Sequence, residues 1–256
     1  LGAAIKTAPV RDRRQGSARL AWPFLTHGEA HRRGRLFRET ALRALAGLGV
    51  AIDEKLLALP NEVVPCNTGA AKRTALLAGR CGPFVGLGLG AGNRMKALAP
   101  AQLIELAAQI INRTPATLVL IGTAADQPAA AALLAVLPAG RVIDSTGQWS
   151  LAELPALLAG LDCFAGVDSG ATYMADALGV AVVDFMGPAD AGDQRPIGRR
   201  AMVIQSSEPC APCSHAFDAP YRCHLGTRAC IAKAPLAGIA EEIARLLADK
   251  EKIDEC

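Results

Sequence analysis

From about residue 83 onward, short apolar runs rich in Val, Ile and Leu alternate with segments of helical periodicity, and this alternation constrains the fold more than any other feature. The runs are Phe84–Leu89, Thr117–Ile121, Val142–Ile143, Asp162–Ala165, Ala181–Met186 and Met202–Ile204, and most give way at once to Gly or Asp. Between them, Leu103, Leu106, Ala107, Ile110 and Ile111 recur at helical spacing after Pro100, and Ser150 with Glu153 forms a capping box ahead of Leu154, Leu157 and Leu158. Strand and helix alternating at these lengths build βαβ units on a parallel sheet, so the expected fold class is α/β and Rossmann-like, with helices on both faces. Such a sheet binds ligands beyond the carboxyl ends of its strands. The residues that follow each run are therefore the candidate functional ones.

Residues 1–79 read differently. The stretch Arg11–Arg38 is rich in Arg and Gly and shows no clear strand, Thr40–Leu48 reads as a helix stopped at Gly49, and Leu56–Pro65 as a Pro-punctuated connection. We read this segment as the tail of an earlier domain plus a linker, and residues 80–256 as one domain with a Cys-rich insert at 205–232 and a terminal helix at 235–252. In that helix Leu236, Ile239, Ile243, Leu246 and Leu247 form the apolar stripe. Leu1 begins no basic head, apolar core and cleavage site, and the chain has no uninterrupted apolar stretch of spanning length. A net charge of +3 is too weak to imply nucleic acid, although residues 1–40 carry nine Lys or Arg against three Asp or Glu. That basic segment suits either an anionic ligand or an ordinary solvated surface.

Three constellations sit where the fold places ligands. Gly86, Gly88, Gly90 and Gly92 close a strand and lead to Asn93, Arg94 and Lys96. Glycines let the backbone approach a ligand, their N–H groups can cradle an anion, and Lys96 adds a charge for phosphate. No Gly-Lys-Ser/Thr follows at Walker spacing, and a tight strand-to-helix turn alone would use the same residues. Next, Asp168, Ser169, Gly170, Ala171, Thr172 and Tyr173 follow the run ending at Ala165, so a helix beginning near Ala171 would aim its N–H groups at the strand ends. The plainer reading makes Asp168 or Ser169 a helix cap. Third come Gly187, Pro188 and Asp190, with Arg195 and Gly198 beyond, a break that in isolation is only a turn.

Half of the eight cysteines, Cys210, Cys213, Cys223 and Cys230, lie in one short segment. Paired thiolates separated by two residues, with two more in reach, can close a tetrahedral site around zinc or iron. Free thiols and disulfides are the alternatives, and clustering favours a reducing compartment, hence the cytoplasm. Cys163, inside an apolar run, reads as a small buried hydrophobe.

In order and spacing these elements resemble glycosyltransferase family 9, the bacterial ADP-heptose heptosyltransferases of the two-domain GT-B type. The series is Gly90, Ala91, Gly92 and Lys96; Leu120, Ile121 and Gly122; Gly147, Ser150, Leu151, Glu153 and Leu154; Asp168, Ser169, Gly170 and Tyr173; and Met186, Gly187, Pro188 and Asp190. The resemblance covers about residues 80–250, weakening upstream to Arg19–His27. It implies that residues 80–256 are the donor half, with a partial acceptor domain before it. Transfer of a heptose-type sugar from an ADP-heptose-like donor to a lipopolysaccharide core or protein acceptor is the implied activity.

The resemblance further implies that Lys96 contacts the donor phosphates, that Asp126 occupies the acidic position near the ribose, and that Asp168 holds the sugar. Ser169, Gly170 and Ala171 would present N–H groups to the diphosphate, with Gly187 and Asp190 in the donor loop, and no catalytic metal would be needed. Family members carry a similar Cys insert, and one protein-heptosylating branch binds iron there. A cytoplasmic protein peripheral to the inner membrane, able to form homo-oligomers, is the implied setting. Tyr173 departs from the family's usual His, and Ala97 and Leu98 from its Arg and Trp. No general base is identified, since Asp12 lacks a strand-loop setting. The competing readings are a catalytically silent nucleotide-sugar-binding subunit and a dinucleotide enzyme. The latter is disfavoured because no acidic residue follows the glycine loop at the usual spacing.

Overall fold

The structure is a computed structural model, and it describes residues 5–11, 25–53, 55 and 67–254. Asp12, the Leu56–Pro65 connection, Cys66 and Cys256 lie outside the described residues. Six strands form the main sheet: β3 (Phe84–Gly88), β4 (Thr117–Ile121), β5 (Val142–Asp144), β6 (Cys163–Val167), β7 (Ala181–Met186) and β8 (Ala201–Gln205). All their pairings are parallel, in the order β5-β4-β3-β6-β7-β8. Read from β3 as the first strand, this is the doubly wound dinucleotide-fold order. The inner strands are largely apolar because both faces are covered: every residue of β4 and β7 is buried, Asp184 included, whereas the edge strand β8 is only half-buried.

Helices α3 (Pro100–Arg113), α4 (Gln127–Val136) and α7 (Leu236–Asp254) cover one face. There Leu103, Leu106, Ile110, Leu133, Ile239 and Ile243 pack on Val85, Leu87, Leu118 and Val183. On the other face, α5 (Leu154–Leu158) and α6 (Gly170–Ala177) bring Leu157, Leu158 and Ala175 onto Val119, Phe164 and Val182. Of the capping box expected ahead of α5 only the Glu153 half forms: its carboxylate accepts from the N–H and the hydroxyl of Ser150, while the N-cap residue is Glu153 and no side chain caps the helix. Within β6, Cys163 is fully buried, and burial pushes its thiol up to about 12.

The expectation of no strand in Arg11–Arg38 is corrected. Strand β2 (His27–His31) pairs in parallel with β1 (Thr7–Arg11), and α1 (Phe37–Ala44) covers the pair, burying Thr40 and Ala44. The run His27-Gly-Glu-Ala-His31 has no β-branched residue and no apolar alternation, so its strand character comes from pairing with β1 rather than from propensity. The helix stop at Gly49 holds, since that glycine takes a positive φ of 78° after a short 3-10 turn. Between α1 and β3, helix α2 (Ala70–Leu77) lies near α5, where Lys72 pairs with Glu153.

Candidate functional site

In a sheet of this order the strand sequence reverses between β3 and β6, and the loops leaving those strands diverge to opposite faces. A cleft of about 610 Å³ opens at that point. Its walls are the loop after β3 (Gly90, Ala91, Gly92, Arg94), the loop after β4 (Gly122, Thr123, Ala124, Asp126), and Ser169, Gly170 and Ala171 at the start of α6. Ser145, Gly147, Trp149, Leu151 and Leu154 close the remaining side. Eight of the expected site residues therefore converge here: Gly90, Ala91, Gly92, Gly122, Asp126, Ser169, Gly170 and Ala171.

Two glycines are required by close approach. A Cβ on Gly90 would stand 2.6 Å from Asp126 Oδ1, and one on Gly122 2.9 Å from Asp126 Cβ. Asp126 is itself fixed, because its Oδ2 accepts from the N–H and the hydroxyl of Thr123, both at 2.8 Å. At the start of α6 no side chain caps the backbone. Ser169 Oγ meets Thr172 Oγ1 at 3.0 Å, and Thr172 Oγ1 donates to Val167 O at 2.7 Å. Neither Asp168 nor Ser169 thus serves as a side-chain cap, and the first N–H groups of α6 face the cleft carrying the positive end of the helix dipole.

Beside the cleft rather than in its wall, Asp168 gathers the polar groups. It is 5% exposed. The Lys96 ammonium is ion-paired to its Oδ2, Gln194 Nε2 donates to the same oxygen at 3.0 Å, and the Tyr173 hydroxyl donates to Oδ1 at 2.8 Å. Burial, then the Asp168 charge, hold the Tyr173 phenol well above its ordinary range, so it stays a neutral donor. Beneath lies Asp184 on β7, fully buried with neither carboxylate oxygen hydrogen-bonded among the described residues. Burial foremost, and next the neighbouring Asp168, push its carboxyl well above the usual range.

Gly187 and Asp190 do not line the cleft. A Cβ on Gly187 would stand 2.5 Å from Ile231 Cδ1, which makes it a packing glycine, and Asp190 turns its carboxylate toward Gly192 and His215. Arg94, Thr123 and Trp149 also line the cleft; the sequence reading named Arg94 in the glycine loop without giving it a role, and did not single out Thr123 or Trp149. Trp149 was legible as one of only two tryptophans, placed just ahead of a capping box. The Lys72 ammonium lies 4.8 Å from its ring centroid, backing the indole against the cleft.

Cys210, Cys213, Cys223 and Cys230 are free thiols in one neighbourhood. Burial, then the proximity of the other sulfurs, push the Cys213 and Cys230 thiols up. The Cys223 thiol is lowered, foremost by the backbone N–H of Arg228 and further by those of Leu225, Gly226 and Thr227. Among the described residues, no three of these sulfurs lie within 4.8 Å of one another.

A cleft at the switch point of a doubly wound sheet, ringed by glycines and an uncapped helix start, lies where sheets of this class take their ligands, and the fold is that of GT-B-type glycosyltransferase structures. The profile of glycosyltransferase family 9 (heptosyltransferase) matches residues 16–222, and the chain belongs to that family. It is 33% identical to lipopolysaccharide heptosyltransferase 1 of Pseudomonas aeruginosa over 109 residues, which are 43% of this chain and 30% of that protein. The glycosyl transferase family 9 structure from Veillonella parvula matches with a TM-score of 0.69 at 17% identity, over 90% of this chain and 65% of that one. The ADP-heptose LPS heptosyltransferase II of E. coli matches with a TM-score of 0.66 at 20% identity, over 98% and 72% respectively. At these identities the two structures show the shared fold.

Proposed function

We propose that this chain supplies the donor-binding half of a glycosyltransferase that moves a heptose-type sugar from an ADP-heptose-like donor to a lipopolysaccharide core or protein acceptor. The observation that carries the reading is the uncapped N-terminus of α6 facing the glycine-ringed cleft. A diphosphate placed there accepts from the N–H groups of Gly170, Ala171 and Thr172, with Arg94 at the same cleft and Lys96 close by. The nucleoside lies over Gly90, Gly92 and Gly122, its ribose toward Asp126 and its base along Trp149 and Leu154. The sugar reaches the rim near Asp168, whose ties to Lys96, Tyr173 and Gln194 fix its orientation.

In the reaction the anomeric C–O bond to the diphosphate breaks, and the nucleoside diphosphate leaves with the bonding electrons. Preorganised N–H dipoles and cations stabilise that developing charge without a catalytic metal. The acceptor hydroxyl attacks the anomeric carbon and gives up its proton to a base that is not assigned. Residues 80–256 form the donor unit in this reading, and residues 1–79 belong to the acceptor side. The four clustered cysteines are the candidate ligands of a structural zinc or iron, a reading carried by their spacing in the sequence, and the sulfurs would have to draw together around the ion. We place the protein in the cytoplasm, peripheral to the inner membrane. Among the described residues no helix is long and apolar enough to cross a membrane.

The test is incubation with ADP-heptose and a lipopolysaccharide-core or protein acceptor while ADP release is followed. Acceptor-dependent release supports transfer. Donor binding with no release in the presence of either acceptor supports instead a nucleotide-sugar-binding subunit.

A further inference from the structure

A second polar centre lies where the loop after β7, the start of the Cys-rich segment and strand β2 meet. Its geometry follows from the backbone. Ala189 bridges Ser214 in parallel, and Asp190 N–H donates to Ser214 O at 3.0 Å, which sets His215 against Asp190. A tight turn, with Asp193 N–H donating to Asp190 O, then folds Asp193 back onto the same spot. As a result His215 Nδ1 lies 3.1 Å from Asp190 Oδ2 and 3.4 Å from Asp193 Oδ2. Among the described residues these three side chains form the group of His, Cys, Asp or Glu whose ligand atoms lie within 4.8 Å of one another.

The group is poorly satisfied by the protein alone. Asp193 is 0% exposed, and it uses the N–H of Gly34 at 3.1 Å and that of Ala216 at 3.3 Å. His215 Nδ1 is buried without a hydrogen bond. From β2, His31 points in, with its side chain 6% exposed and its Nε2 3.6 Å from Asp193 Oδ1, also without a hydrogen bond. Thr40 holds the other nitrogen of that ring at 2.9 Å, and Phe37 and Phe217 pack edge-on against it with centroids 5.7 and 5.8 Å away. A buried imidazole nitrogen that stands at ion-pair distance from a buried carboxylate yet makes no hydrogen bond marks a centre with room for a further component.

We propose that Asp190, Asp193 and His215 bind a first-row divalent cation, with His31 supporting Asp193 from β2. Ligand atoms around an ion at bond lengths of about 2.0–2.2 Å lie roughly 3–3.5 Å apart, which the two His215 distances already match. Two carboxylate oxygens and one imidazole nitrogen form a donor set for Mn²⁺, Fe²⁺ or Zn²⁺, harder than the thiolate cluster. The ion joins the β7 loop to the Cys-rich segment and, through His31 and Gly34, to the N-terminal strands. Gln194, next in the chain after Asp193, donates to Asp168, so the ion also steadies the loop that orients that carboxylate. The inference does not depend on the donor chemistry proposed above.

Mn²⁺ is the probe, because it avoids thiolates and reports through its electron spin resonance. The full chain, free of nucleotide, is titrated with MnCl₂ while the free-ion signal is followed, and pulsed spectra record nitrogen coupling. The expected result is one saturable equivalent with imidazole nitrogen coupling, and affinity reduced by about tenfold or more in His215→Gln and in Asp190→Asn. Absence of saturable binding overturns the proposal in favour of direct histidine–aspartate contacts with no ion between them. Binding without nitrogen coupling, or binding unchanged in folded variants, places the ion elsewhere and equally overturns it. The nitrogen coupling of the parent chain decides the matter should a variant fail to fold.

Discussion

Arg94 and Lys96 leave the same glycine loop, yet the fold gives them different duties. Arg94 lines the cleft, whereas Lys96 is ion-paired to a nearly buried Asp168. Replacing either by Ala should weaken ADP binding by about 1.5–3 kcal/mol, the usual worth of a charge-assisted contact, as read by calorimetry. Only Lys96→Ala should also lower folding stability, by about 3 kcal/mol in denaturant titration, because it strands the Asp168 charge. Equal stability of the two variants would contradict the division. Asp184 adds a pH signature. Its carboxyl is raised when folded, so as pH climbs past the ordinary carboxyl range the unfolded chain releases a proton that the folded chain keeps, and stability falls. Asp184→Asn should therefore compare more favourably with the parent in melting temperature at about pH 8 than at about pH 4. A pH-independent difference would remove Asp184 as the source. None of this was legible in the sequence: Lys96 could be placed on a phosphate loop, but its partner lies 72 positions away.

Among the elements, the strands of the main sheet were the most legible, because burial on both faces writes itself as largely apolar runs. Strand β2 was not, since His27–His31 carries no apolar pattern and depends on β1 and α1 for its place. The Asp190–Asp193–His215 centre was hidden for a similar reason, as it arises from a bridge between Ala189 and Ser214 across 25 positions. The glycines divide the same way once structure is added. On β3, a Cβ at Gly86 would meet Leu161 Cδ1 at 2.6 Å and Phe164 Cδ2 at 2.9 Å, whereas at Gly170 nothing lies within 4 Å. Gly86→Ala should cost about 1–3 kcal/mol by overpacking a full core, and Gly170→Ala should leave stability nearly unchanged, both by thermal unfolding. Comparable losses at the two positions would mean that the β3–β6 packing is looser than described.

For the molecule as a whole, the strand order β5-β4-β3-β6-β7-β8 matters more than any single motif, because it places a cleft between β3 and β6. The sequence supplied the loops that face this cleft, and Gly90, Asp126 and Ser169 converge there from three separate segments. It also suggested Gly187 and Asp190, which follow a strand end but turn to packing and to His215 instead. Family membership rests on residues 16–222, while the alignment with the Pseudomonas heptosyltransferase spans 30% of that protein. The central claim, that the cleft is a nucleoside-diphosphate site, is tested most directly by titrating the chain with ADP in a calorimeter. The account predicts one saturable site whose affinity falls in Arg94→Ala and in Gly90→Val, the latter filling the space against Asp126. No saturable binding, or an affinity indifferent to both substitutions, would contradict it.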